Sequence, residues 1–83
     1  METTFVLISC DLGFEKIVVD ELKKIQTVKE TQGTFGAYDI ITKVQDQDRN
    51  KIKDVITKNI RKIQHVRSTL TLITIPEQDK KLS

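Results

Sequence analysis

Lys23-Lys24-Ile25-Gln26-Thr27-Val28-Lys29-Glu30-Thr31 (KKIQTVKET) returns later in the chain as Arg61-Lys62-Ile63-Gln64-His65-Val66-Arg67-Ser68-Thr69 (RKIQHVRST). Self-similarity within one small domain is an architectural signal, since a catalytic site seldom needs a duplicate but a supersecondary unit often does. With the chain slid thirty-eight positions against itself, the match extends backwards: Phe14 falls on Ile52, Ile17 on Val55, Val18 on Ile56, Leu22 on Ile60 and Ile25 on Ile63. These positions follow the i, i+3, i+4 spacing of one helical face. The residues between them are charged: Glu15, Lys16, Asp20, Glu21, Lys23 and Lys24 in the first copy, Lys51, Lys53, Asp54, Lys58, Arg61 and Lys62 in the second. The spacing predicts amphipathic helices over about 14–26 and 48–63, with Asp48 capping the second by accepting from open first-turn amides.

Strand signals flank each helix. Phe5–Ser9 is apolar at both parities, and Leu70–Ile75 ends before Pro76, which has no amide to donate to a ladder. Val28–Phe35 and Tyr38–Val44 are parted only by Gly36-Ala37, a spacing that suits a type II′ hairpin with glycine at the positive-φ position. The order is strand–helix–strand written twice. Two such units interleaved predict an α+β fold, the ferredoxin-like βαββαβ plait, with an antiparallel sheet and both helices on one face. The domain is expected over residues 1–76, followed by a polar tail, 77–83.

That architecture has a consequence for assembly. Two helices cover one face of a sheet, yet the strands carry Phe5 and Leu7 against Val6 and Ile8, and Leu70 and Leu72 against Ile73 and Ile75. At ~25 cal/mol per Å2, several large side chains left wet on the second face forfeit several kcal/mol. A patch of that kind marks an interface. The chain has 83 residues, and folding at this size buries roughly 63% of the unfolded surface. A partner subunit docked on the open face is therefore expected, as in plaits of the dimeric α+β barrel type.

Bulk properties exclude several classes. Fourteen basic residues stand against twelve acidic ones, for a net charge of +2. No basic stripe or RNA-binding aromatic signature emerges, so no direct nucleic-acid partner is expected. Cys10 is the single cysteine; with no partner for a disulfide or CxxC pair, it fits a reducing, cytoplasmic setting. Phe5-Val6-Leu7-Ile8 is far too short to span a bilayer, and no membrane partner is expected. Cys10 reads as a buried structural thiol, and the single His65, aligned with Thr27, as a surface connector; in the plait the two are expected at opposite ends. No catalytic residue, metal site or cofactor is indicated.

Gly33-Thr34-Phe35-Gly36-Ala37-Tyr38-Asp39 is the stretch with chemical content. A tight turn with Phe35 and Tyr38 as a cross-strand aromatic pair accounts for both rings and for Gly36. Asp39, entering an otherwise apolar strand, is poorly explained by packing. Glycine-opened turns leave backbone amides free for a carboxylate, and a neighbouring carboxylate holds an ammonium. Gly36, Ala37, Tyr38 and Asp39 thus suit a zwitterionic amino acid, with Ser68, Thr69 and Thr71 as hydroxyl donors.

At these residues the sequence resembles the RAM domain, the effector-binding half of the Lrp/AsnC ("feast/famine") transcription regulators. The resemblance rests on Asp11-Leu12-Gly13, on Gly36-x-Tyr38-Asp39 between two strands, and on the closing Val66-Arg67-Ser68-Thr69-Leu70-Thr71-Leu72 strand, and it covers about residues 3–76. It implies sheet-to-sheet homodimers that associate further, commonly to octamers, with a small amino acid bound beside the Gly-x-Tyr-Asp hairpin. Members carry an N-terminal helix-turn-helix domain, whereas this chain opens on its first strand and resembles the form of the domain that stands alone. It is expected to act as a non-enzymatic amino-acid sensor, on itself or in mixed assemblies with full-length Lrp/AsnC regulators. Two other readings compete: a small oxygenase or isomerase on the dimeric α+β barrel, which needs a buried polar constellation, and a ligand-free oligomerisation module.

Overall fold

The protein is described from a computed structural model, in which residues 1–74 are described. Strand β1 (Glu2–Cys10) leads through a short loop into helix α1 (Glu15–Lys23), and β2 (Val28–Gly33) closes the first unit. The second unit is β3 (Ile40–Asp46), α2 (Arg49–Lys58), a single 3-10 turn (Ile60–Lys62) and β4 (Val66–Ile73). The order in the sheet is β2-β3-β1-β4, and every neighbouring pair is antiparallel. This is the ferredoxin-like plait. The repeat survives in three dimensions: β1 and β3, the opening strands of the two units, pair at the centre, and β2 and β4, the closing strands, form the two edges.

The core is a single layer between sheet and helices. Val6 and Ile8 from β1, Ile40 and Val44 from β3, Val18 and Leu22 from α1, and Ile52, Ile56 and Ile60 from the second unit are almost wholly buried. Asp48 caps α2 as expected, accepting from the Asn50 amide at 2.9 Å. Other boundaries differ from expectation. The second helix does not run to residue 63: the α-helix stops at Lys58, and the chain tightens into i→i+3 bonds, Lys62 N–H to Asn59 O and Ile63 N–H to Ile60 O, both at 3.2 Å. Asn59, a weak helix former, sits at the break. The tightened turn still buries Ile60. Ile17, matched to the buried Val55 by the repeat, is 50% exposed, because α1 presents Val18 and Leu22 to the core with Val19 and Ile25 beside them. Strand β4 begins at Val66, earlier than expected. The expected strand end at Ile75, the stop at Pro76 and the tail 77–83 lie outside the described residues.

The face of the sheet away from the helices carries Phe5 and Leu7 of β1, Ile41 of β3, and Leu70 and Leu72 of β4, placed together by the pairings Phe5–Leu72, Leu7–Leu70 and Leu7–Ile41. Leu70 and Leu72 are 44% and 47% exposed. Both parities of β1 are apolar because one lines the core and the other this open face. No described helix is long and apolar enough to cross a membrane.

Candidate functional site

The link between the two units is a six-residue loop, not the two-residue type II′ turn. Strand β2 ends at Gly33 and β3 resumes at Ile40. The loop is closed by Thr34 N–H donating to Asp39 O at 2.8 Å and by the Thr34 hydroxyl donating to Tyr38 O at 2.8 Å. Gly36 has φ +128°, as anticipated for the glycine of the turn. Phe35 and Tyr38 do not pair: the opened loop sets Phe35 wholly in solvent and leaves Tyr38 half-buried. Thr34 is the residue that the pattern missed, since its hydroxyl can fold a short loop back on itself and so replace a tight turn.

Asp39 lies at the point where β3 ceases to supply backbone to β1. Its own amide donates to Ile8 O at 2.9 Å, and its carboxylate, through Oδ2, accepts from the Cys10 amide at 2.9 Å. The side chain thus adds one more rung to the β1–β3 ladder and satisfies a backbone donor that would otherwise be orphaned. The poor fit of a carboxylate in an apolar strand has this local explanation.

The three hydroxyl residues of β4 are divided by the pleat. Ser68 pairs with Ser9 and shares the open face with Leu70 and Leu72, at the same end of β1 as Asp39 and on its other flank. Thr69 and Thr71 pair with Ile8 and Val6 and therefore lie on the helix face. Thr69 Oγ1 accepts from Arg61 Nε at 3.2 Å, while Thr71 sits in a groove beside α2. Gly36, Ala37, Tyr38, Asp39 and Ser68 thus belong to one end of the molecule. Thr69 and Thr71 do not join them on the same surface.

Cys10 and His65 are neighbours, contrary to expectation. β4 runs antiparallel to β1, so its start lies beside the end of β1: Cys10 pairs with Val66, and Asp11 N–H donates to His65 O at 2.9 Å. His65 takes φ +77° and stacks on Phe14 with ring centroids 3.7 Å apart, and its Nδ1 lies 3.2 Å from Asp11 Oδ2. It is a packed corner piece, not a mere connector. Cys10 is buried, and burial first, then the charges of Asp39, Glu15 and Asp11, pushes its thiol above the ordinary value. A thiol shifted that way is a poor nucleophile. Among the described residues no group of three or more His, Cys, Asp or Glu side chains is placed to hold a metal ion.

Comparison with known proteins gives a consistent picture. A family model described as the Lrp/AsnC ligand binding domain matches residues 3–81. The crystal structure of FFRP-DM1 superposes with a TM-score of 0.86 at 35% identity, covering 90% of this chain and 100% of that one. A feast or famine regulatory protein from M. tuberculosis, solved in complex with L-methionine, shares the fold with a TM-score of 0.75 at 20% identity, covering all of this chain and 54% of that one. Among curated sequences, homocitrate synthase of Saccharolobus islandicus is 37% identical over 71 residues, or 84% of this chain. The chain spans only about 15% of the length of that relative.

Proposed function

The chain belongs to the Lrp/AsnC ligand binding domain family, and from that premise we infer that it is a non-enzymatic effector-sensing module of the cytoplasm. Two copies dock through the open sheet faces, and a small amino acid binds at subunit contacts beside the Thr34–Asp39 loop. The single observation that carries this reading is the open face, where half-exposed Leu70 and Leu72 continue an apolar strip from Phe5, Leu7 and Ile41. It lies alongside a loop whose tip, Phe35, is wholly exposed. Within the site, backbone amides near Gly36 and Ala37 take the carboxylate, Asp39 Oδ1 takes the ammonium, and Ser68 lies across the strand. Thr69 and Thr71 are assigned no direct contact. The methionine complex of the mycobacterial neighbour supports an amino acid as the class of effector; the apolar surroundings favour a neutral or aliphatic one. A ligand held at such a contact stabilises the assembly by mass action, by ~2.7 kcal/mol at a hundredfold excess over Kd. Association beyond the dimer, up to an octamer, follows from further contacts at the loop end.

The test is a thermal-shift screen of the twenty amino acids with sedimentation of the same samples. One amino acid should raise the melting temperature and the sedimenting mass together. Asp39→Asn keeps an acceptor for the Cys10 amide and removes the charge, so it should abolish the response with the unliganded melting temperature nearly unchanged. A flat screen on a folded dimer would favour the ligand-free oligomerisation module.

The likeness to a segment of homocitrate synthase favours a second reading of the partner. The regulated protein is then an enzyme to which the module attends, in place of a full-length Lrp/AsnC regulator with its own DNA-binding domain. Co-expression with each class, followed by gel filtration with and without the effector, separates the two.

A further inference from the structure

The two edge strands share an irregularity. In the pairing of β2 with β3, Val28 faces Val44 and Glu30 faces Lys43, so Lys29 has no opposite number in the ladder. In the pairing of β4 with β1, Val66 faces Cys10 and Ser68 faces Ser9, so Arg67 has none. Each is a β-bulge, with two residues of the edge strand set against one of its neighbour. Lys29 and Arg67 stand thirty-eight positions apart, at the same place in the repeated phrase KKIQTVKET and RKIQHVRST. Both copies of the repeat thus put a cation and a bulge together near the start of a free edge.

A bulge bends its strand and breaks the even row of outward amides and carbonyls that another strand would need. A recess opens beside each one, of about 610 Å3 at Lys29 and about 290 Å3 at Arg67. The repeat also matches their margins: Lys23 joins Lys29 at the first, and Arg61, its counterpart, joins Arg67 at the second. Lys29 Nζ donates to Gln26 O at 3.1 Å, and Arg67 Nε lies 3.9 Å from Asp11 Oδ1, yet both side chains are exposed. A strand drawing up to either edge would have to strip water from the charge.

The need is unequal at the two edges. Beyond its bulge β2 carries Glu30 and Gln32. In β4, Arg67 is the one charged residue; Thr69–Ile73 (TLTLI) holds none, and Leu70, Leu72 and Ile73 are exposed. An uncharged run of strand formers on a free edge is the pattern that pairs with its own copies. Leu70 and Leu72 belong to the open face, so a charge cannot replace them without altering that face, and protection falls to the bulged start of the strand.

We propose that Arg67 is an edge guard, with Lys29 its counterpart on β2: the bulged cation keeps β4 of one molecule from pairing with β4 of a second copy. The guard holds whether or not the open faces dock. Where they do, it keeps edge-to-edge growth from competing with that dimer.

The experiment compares the parent chain with Arg67→Val, Arg67→Thr, Arg67→Lys and Lys29→Val, by sedimentation over a range of concentrations and by hydrogen exchange. Arg67→Val and Arg67→Thr should keep the circular dichroism of the parent and add species of at least twice its mass, in proportions that rise with concentration. In those species the outward amides of β4 should exchange about tenfold more slowly or better. Arg67→Lys should match the parent because it retains the charge, and Lys29→Val should match it because Glu30 still stands on that edge. The parent's own mass, monomer or dimer, is the baseline, so a failed sheet-to-sheet dimer leaves the comparison decisive. The proposal is overturned if folded Arg67→Val and Arg67→Thr both sediment as the parent does. It is overturned also if the added species leave the β4 amides unprotected, or if Arg67→Lys associates as the uncharged variants do.

Discussion

Asp39 takes over where the backbone of β3 leaves off, so its carboxylate serves the sheet whether or not a ligand is present. Asp39→Ala should therefore destabilise the protein by about 1–3 kcal/mol, the range for a buried amide deprived of its acceptor. Asp39→Asn, which keeps an acceptor for the Cys10 amide, should lose little of that, and chemical denaturation of the two variants reads the difference. The same corner sets the titration of Cys10, whose thiol is raised first by burial and then by Asp39. A raised value in the folded state means that the unfolded chain gives up its proton first as pH rises. The contribution of Cys10 to stability is thus complete below the ordinary thiol value of 9.0 and is lost as pH climbs through the folded-state value. Denaturation curves between pH 7 and about 10 should show this decline, and Cys10→Ala should flatten it. Iodoacetamide should label Cys10 slowly until denaturant is added.

At the scale of the elements, the repeat was legible because helix periodicity and strand content survive divergence, and the order of all four strands and both helices follows from it. Details fixed by one residue were not legible. The loop at 34–39 opened because the Thr34 hydroxyl bonds to Tyr38 O, a contact that no periodicity encodes. The alignment of His65 with Thr27 hid the positive φ at one and the burial of the other. Proximity of Cys10 to His65, by contrast, was available from topology alone, since an antiparallel neighbour starts where β1 ends. Of the candidate site, the loop residues stood out as a motif. The division of Ser68 from Thr69 and Thr71 follows from the alternation of the pleat once β4 is known to begin at Val66 instead of Leu70. The two apolar matches on α1 should now behave differently. Leu22→Ala, at a fully buried position, should cost about 2–5 kcal/mol. Ile17→Ala, half in solvent, should cost less than about 1 kcal/mol. Parallel urea melts decide whether burial or the repeat alignment is the better guide.

For the whole molecule, the decisive quantity is what covers the outer side of the sheet. Leu70 and Leu72 stand on an edge strand, about half in water, and the antiparallel pairings carry the apolar strip inward from them to Phe5, Leu7 and Ile41. Leu70→Lys with Leu72→Lys should yield a monomer by sedimentation while circular dichroism stays that of the parent, because neither side chain lies in the helix-side core. A double variant that still sediments as the parent would remove the sheet-to-sheet dimer from consideration.

The central pairing of β1 with β3 also means that the halves of the chain grip each other along the full length of the sheet, and the covalent tie between them is an exposed loop. Severing the polypeptide between Gly36 and Ala37 would leave two pieces, each with one inner and one outer strand and neither able to bury its helix alone. Produced together, such pieces should find one another and elute as a single folded species. The module is, in effect, a clasp of two near-copies, in which the peptide bond at the tip is a convenience of synthesis more than a requirement of the fold.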